Sequence, residues 1–354
     1  MERTYKLYNI LIGWSVFLVA AITYLLTIEP TASLWDCGEF IATSYKLQVG
    51  HPPGAPLFMI VARLFSLFAG NDVTHVARMI NSMSALASAF TILFLFWTIS
   101  HLVRKLVIGD GEITARNIII VLGSAMVGSL AYTFSDTFWF SAVEGEVYAF
   151  SSLFTALVFW AILKWENDAD KKHANRWIIL IAYLMGLSIG VHLLNLLTIP
   201  ALVLVYYFRR YTVSRFGIVK ALLVSLLLLA GMMYVIIPGL IKIASWFELL
   251  FVNGFGMPYN SGVFIYALLL IAGIFYGIRY ATRKRKVLLH TLITAISVII
   301  IGYSSFAMLV IRAQADPPMD ENSPDNVFAL LKYLNRDQYG ETPLLYGPYY
   351  NAPR

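Results

Sequence analysis

Charge is scarce in this 354-residue chain. Asp, Glu, Lys and Arg make up 13% of it, where an ordinary soluble domain carries about 25%. Together with 59% apolar residues and a mean hydropathy of +0.72, the deficit excludes a disordered chain, which needs high charge and low hydrophobicity. It also argues against a soluble enzyme, because so apolar a surface needs lipid as its solvent. Cysteine occurs once, at Cys37, which excludes an internal disulfide framework and a CxxC zinc site. There is no His-Glu-x-x-His, no internal repeat and no low-complexity tract. The net charge of +6 is not gathered with aromatics in any polar segment. No nucleic-acid partner is expected, and the basic residues read as membrane-orientation signals.

Long apolar runs are what the chain has in abundance. A spanning helix needs about 20 mostly apolar residues. Nine stretches qualify or come close: roughly 9–28, 79–103, 117–134, 147–164, 177–191, 195–208, 218–238, 261–279 and 287–311. The fifth and sixth are short and meet at His192–Asn195, so one long broken helix is the alternative there. The first run is too long for a signal peptide and is followed by Glu29-Pro30, with no small-residue cleavage site; it is expected to be retained. The expected fold class is an all-α integral membrane protein of about nine transmembrane helices. Placing the N-terminus in the cytoplasm puts 18 of the 26 basic residues on the inner side, the bias that orients helices during insertion. Of the 20 acidic residues, 14 then fall outside. Acidic residues count little for topology, so part of that excess is expected to serve function.

Three outer segments are more than connectors: a first loop at 29–78, a link at Ser135–Glu146 and a tail from Arg312. Residues 1–311 are expected to form the transmembrane domain. Residues 312–354 are expected to form an outer-face tail that reads as the start of a further region.

The first loop concentrates the chemistry. It carries Trp35-Asp36-Cys37-Gly38-Glu39-Phe40 and then Gly50-His51-Pro52-Pro53-Gly54-Ala55-Pro56-Leu57-Phe58. Asp36 and Glu39 are three apart, so a helical turn would set both carboxylates on one face. Burial and a like-charged neighbour raise a carboxylate's pKa, and such a group can take the proton of a hydroxyl. A helix cap plus a solvated acid is the plainer reading, and spacing alone does not separate the two. Three prolines and a glycine after His51 forbid helix and impose a stiff turn. The next twelve residues, 57–68, are apolar but too short to span, which suits a helix lying in the interface as the roof of a cavity.

Asp-x-Gly-Glu-Phe at 36–40 and Gly-His-Pro-Pro-Gly-x-Pro-Leu-Phe at 50–58 resemble a membrane family of Bacteroidetes-type bacteria, formerly of unknown function. That family has an animal relative acting as a protein O-mannosyltransferase and looks like a branch of the GT-C glycosyltransferases. The resemblance implies a multi-helix enzyme moving a sugar from a polyprenyl-phosphate carrier to Ser or Thr of a protein on the outer face. In a bacterium that is the periplasmic face of the inner membrane. It implies Asp36 as general base, with Glu39 as an orienting or metal-binding partner and His51 in the roof. No metal is required by the sequence; if one is used, Asp36 or Glu39 would ligate Mg²⁺ or Mn²⁺. The leaving phosphate wants a cation, and Arg63 and Arg78 are the outer-side candidates nearest the motif. Lys46 and Lys242 lie farther off.

Glu146 opens a helix in a Glu-Val-Tyr-Ala element that also occurs in the resembled family, making Glu146 and Tyr148 candidates for sugar or acceptor binding. The plainer reading of Glu146 is a carboxylate complementing a helix N-terminus. His192 and Asn195 follow Gly186-Leu-Ser188-Ile-Gly190, small residues that let helices approach closely. His192 is a candidate contact to the donor phosphate, against the alternative of a packing histidine. Two other functions stay open on sequence. One is transfer to a lipid or cell-wall glycan; the other is a transporter or flippase.

Overall fold

The computed structural model describes residues 1–109, 111–340 and 347. Of the tail 312–354, in which the sequence reading sees the start of a further region, residues 341–346 and 348–354 lie outside the described residues. The described chain is built of helices: α1 (Glu2–Leu26), α2 (Cys37–Lys46), α3 (Pro56–Ser66), α4 (Val76–Val107), α5 (Ala115–Thr133), α6 (Asp136–Ala142) and α7 (Val147–Asp168). Then come α8 (Asn175–Ile189), α9 (Ile199–Arg210), α10 (Arg215–Ala230), α11 (Ile237–Leu249), α12 (Ser261–Arg283), α13 (Val287–Tyr303), α14 (Ala307–Ala313) and α15 (Val327–Asn335). An isolated parallel bridge between Val49 and Asp320 is the only β pairing among the described residues.

Eight helical segments among the described residues are long and apolar enough to cross a membrane: Glu2–Leu26, Val73–Val107, Ala115–Thr133, Val147–Asp168, Leu193–Arg210, Arg215–Gly254, Ser261–Arg283 and Val287–Ala313. The chain is an all-α integral membrane protein. The stretch expected at 177–191 is α8, 15 residues long and shorter than those eight; it leads from the end of the bundle where Arg209 pairs with Asp170 to Gly190, whose carbonyl accepts from Leu57 N and Phe58 N of the first loop. It remains separate from the following segment. The chain turns at Gly190–His192 and runs back through a 3₁₀ stretch, Leu193–Thr198, into α9.

Hydroxyl and amide side chains fix several helix starts by accepting otherwise unpaired N–H groups. Thr114 accepts from Asn117 N, Ser214 from Gly217 N, and Asn326 from Phe328 N and Ala329 N. Gly186 and Gly302 bring α8 and α13 into backbone contact. A Cβ on Gly186 would lie 2.4 Å from the Ile299 oxygen, and one on Gly302 would lie 2.4 Å from Leu187 N.

The two ends of the bundle are held by different contacts. At one end Arg104 pairs with Glu2, Lys105 with Glu166, and Arg209 with Asp170. At the other, buried Asn81 donates to the carbonyls of Glu29 and Thr31 at 2.7 and 3.0 Å, pinning the start of the first loop.

The tail does not stand apart from that loop. Val49 N donates to Met319 O and Glu321 N to Val49 O, at 3.0 and 3.1 Å. Arg312 donates to the carbonyls of Leu47 and Lys46. The buried Tyr333 hydroxyl on α15 donates to Gly50 O at 2.6 Å and lies 3.2 Å from His51 O. A hydrogen bond of this kind contributes about 0.5–1.5 kcal/mol net. Tyr333→Phe is therefore expected to loosen the docking of α15 by about that amount. Limited proteolysis would read this as faster cleavage in 314–340, with α4 and α7 unaffected.

Candidate active site

Local conformation sets the first loop's carboxylates. Trp35 takes a left-handed conformation, φ +61°, which turns the chain so that Asp36 becomes the N-cap of α2. The Asp36 side chain makes no capping bond, whereas its carbonyl accepts from Phe40 N at 2.9 Å. Glu39 follows in the first turn. Leu47, also left-handed, ends α2. Pro56 starts α3, where a missing N–H costs nothing. The next two N–H groups, of Leu57 and Phe58, donate to Gly190 O at 2.8 and 3.3 Å, which seats the His-Pro-Pro turn on the end of α8. Gly54 adopts φ +78°, and a Cβ there would lie 2.8 Å from the Tyr333 hydroxyl.

Glu39 and His51 form a closed pair. Glu39 Oε1 accepts from His51 N at 2.6 Å and from His51 Nδ1 at 2.9 Å. A Cβ on Gly50 would sit 2.4 Å from that same oxygen, so the approach requires glycine. One ligand atom each from Asp36, Glu39 and His51 lie within 4.8 Å of one another. These three residues could hold a divalent ion by spacing and donor type. Burial acts to raise the Glu39 carboxyl, but the two bonds from His51 outweigh it and hold the group below its ordinary range. The rise expected for Glu39 thus does not occur, because a histidine twelve residues on compensates its charge. The same bond holds His51 above the usual histidine range, against the opposing effect of burial.

The carboxyl that does rise is Glu146. It is 4% exposed, and burial pushes its pKa up to about 7, with the negative charges of Asp36 and Glu144 adding to the rise. Its Oε2 accepts from Val147 N at 2.8 Å and so caps α7, while the residue also lines the cavity beside the His-Pro-Pro turn. A carboxyl whose folded pKa lies above its unfolded value binds more protons when folded, so stability falls as pH rises between the two. Thermal unfolding midpoints are expected to drop as pH rises from about 4.5 through about 7. Glu146→Gln, which keeps an acceptor for Val147, is expected to remove that part of the slope.

Asp36, His51, Glu146, Tyr148 and His192 line one cavity of about 350 Å³, together with the prolines of the turn and Arg336. His192 Nδ1 accepts from Leu194 N at 3.1 Å. Burial lowers the pKa of its ring, so the neutral imidazole turns an Nε2–H donor outward. The Tyr148 and His192 rings stand 5.4 Å apart. Tyr148 also belongs to a second, largely apolar groove of about 520 Å³, which follows α7 from Tyr148 to Phe159 between α4 and α5. Eleven residue-to-residue steps of helix make that run about 16 Å.

Other candidates lie elsewhere. Arg63 donates to Tyr45 O at 2.7 Å and to Ser66 Oγ at 3.2 Å, tying α3 to α2 without lining the cavity. Arg78 is exposed on the first turn of α4 and is also absent from the lining. Asn195 is buried against Ser188. The cation that does line the cavity, Arg336, ends α15 in a left-handed conformation, φ +60°. Sequence reasoning missed it because 300 residues separate it from the motif; an arginine where a helix end favours glycine is the one local signal.

The family model for the protein O-mannosyl-transferase TMEM260 N-terminal domain matches residues 36–215. The chain belongs to this family. A Dictyostelium discoideum protein O-mannosyl-transferase tmem260 is 25% identical over 198 residues, covering 54% of this chain and 22% of the relative. Mouse protein O-mannosyl-transferase TMEM260 is 27% identical over 179 residues, covering 49% of this chain and 22% of the relative. The aligned region is thus about a fifth of each relative's length. No solved structure matches the chain. The family segment starts at Asp36 and includes His51, Glu146, Tyr148 and His192, while Tyr333 and Arg336 come from beyond it.

Proposed function

We propose that the chain carries the donor site and general base of a GT-C-type glycosyltransferase. It would move a sugar, mannose by analogy with the relatives' names, from a polyprenyl-phosphate carrier to Ser or Thr of a protein on the outer membrane face. One observation carries the reading. The Asp36 carboxylate, without a hydrogen-bond partner among the described residues, borders a cavity shared with His51 and Arg336 that meets an apolar groove at Tyr148. A proton acceptor, cations for a phosphate and a lipophilic channel are the three things this donor demands.

The chemistry balances with these groups alone. The acceptor hydroxyl oxygen attacks the sugar C1 as its proton passes to Asp36. The bond from C1 to the phosphate oxygen breaks, and its electron pair leaves on the phosphate, inverting C1. His51, held toward its protonated form by Glu39, and Arg336 offset the growing phosphate charge. The prenyl chain lies along α7 below Tyr148.

The test is transfer by the purified chain in lipid nanodiscs, from radiolabelled polyprenyl-phosphate mannose to Ser/Thr-containing polypeptides. Label is expected on hydroxyl side chains of the acceptor. Label recovered only on lipid or glycan would replace the protein acceptor. Carrier crossing the bilayer with no transfer to any acceptor would replace the enzyme with a flippase.

A further inference from the structure

A further cavity, of about 430 Å³, opens between α1, α4 and α7 at the end of the bundle opposite the candidate active site. We propose that it holds the phosphate headgroup of an anionic membrane lipid. The inference is independent of the transferase reading.

Three cations line the cavity: Lys6, Arg104 and Lys164. Among the described residues only one carboxylate forms ion pairs with them, Glu2, which pairs with Lys6 at 3.3 Å and with Arg104 at 3.0 Å; Asp168, one helical turn beyond Lys164, acts on it at longer range and is itself engaged by Lys171 at 2.7 Å. Lys164 has no carboxylate within ion-pair distance among the described residues; its ammonium stands 5.0 Å from the centre of the Trp160 ring. The nearby Glu166 is engaged by His101 at 3.2 Å and by Lys105 at 2.6 Å. Three positive charges against one ion-paired carboxylate leave an excess that the single negative charge of a phosphodiester would reduce.

A second observation is independent of charge. Asn9 lines the same cavity, and its Oδ1 is buried with no hydrogen-bond partner among the described residues. A buried acceptor left unpaired costs free energy, so a ligand that also donates a hydrogen bond fits better than bare phosphate. A glycerol headgroup supplies such a hydroxyl. The wall is aromatic, with the Trp97 and Trp160 rings 6.0 Å apart, and tryptophan favours the headgroup level of a bilayer. Basic pockets between transmembrane helices bind anionic headgroups in this way. Phosphatidylglycerol combines the charge, the hydroxyl and the chains that would lie against the adjoining helices.

The experiment is thermal unfolding of the full chain in neutral detergent, titrated with short-chain phosphatidylglycerol, phosphatidylcholine or inorganic phosphate. A saturable rise in Tm is expected with phosphatidylglycerol alone. Lys164→Gln, an exposed position, is expected to weaken its apparent affinity about five-fold, the order of one lysine's attraction to an anionic headgroup. Lys284→Gln, which removes a charge from the turn between α12 and α13, is expected to leave it unchanged. The proposal fails if phosphatidylcholine stabilises equally, if Lys164→Gln binds undiminished, or if both substitutions weaken binding alike, which would mean diffuse attraction. A saturable response to inorganic phosphate that Lys164→Gln weakens would assign the cavity to free phosphate and overturn the lipid.

Discussion

Asp36→Asn is expected to lower sugar transfer by about 10²–10⁴-fold, the range that positioned general bases contribute. Membrane insertion and the unfolding midpoint are expected to stay as they are. The substitution keeps size and shape. The side chain is exposed and makes no capping bond, so no packing or hydrogen bond is lost with the charge. What is lost is the ability to accept a proton. The fall should appear in kcat, with KM for the carrier little changed, because the missing interaction belongs to the transition state. Single-turnover transfer in nanodiscs measures it. Full activity in Asp36→Asn would remove this residue from the reaction and with it the proposed base.

The distinction matters because the two carboxylates of the motif are not equivalent. Glu39 is committed to His51 through two hydrogen bonds, which lowers its basicity and fixes the imidazole. Asp36 has no such engagement. Its position is set by backbone, through the left-handed Trp35 and the Asp36 O to Phe40 N bond, and its side chain makes no capping bond. The raised carboxyl, Glu146, caps a transmembrane helix beneath the same cavity and titrates near neutrality.

Much of this was legible in the sequence wherever the governing interaction is local. The Val147–Asp168 span matches its apolar run because charged residues bound the run at both ends. The turn after His51 follows from its prolines. Local reading fell short at 218–238, where the helical segment continues to Gly254. Pro238 and Lys242 look like an end, but Pro238 occupies the first turn of α11, just after a π-helical turn at Gly231–Ile236. The proline's missing N–H is tolerated there. The sign of the Glu39 shift was hidden for a different reason. It depends on a chain reversal that returns His51 to Glu39, and that reversal depends on Gly50 and on the tail bonds from Tyr333. Bonds spanning more than 280 residues leave no periodicity to read.

Arg336→Gly separates function from stability most sharply. Arg336 occupies the left-handed position at the end of α15, φ +60° and ψ +36°, where a Cβ carries a penalty that glycine avoids. On backbone grounds glycine should stabilise α15 or leave it unchanged, with any gain no more than about 1 kcal/mol. On the reading given above, the guanidinium faces the departing phosphate, and losing one such positioned donor costs about 10²–10³-fold in kcat. The guanidinium also stands 4.6 Å from the Tyr339 ring centre, a contact worth about 0.5–1 kcal/mol at an exposed site that offsets the backbone gain, so the variant is expected to be about as resistant to heat and to proteolysis at 314–340 as the parent, while transferring sugar about 10²–10³-fold more slowly. Arg336→Lys should recover part of the rate, since a point charge replaces the fork without its two-pronged geometry. An Arg336→Gly protein that transfers at the parental rate would place the phosphate elsewhere in the cavity, with His51 its remaining cation.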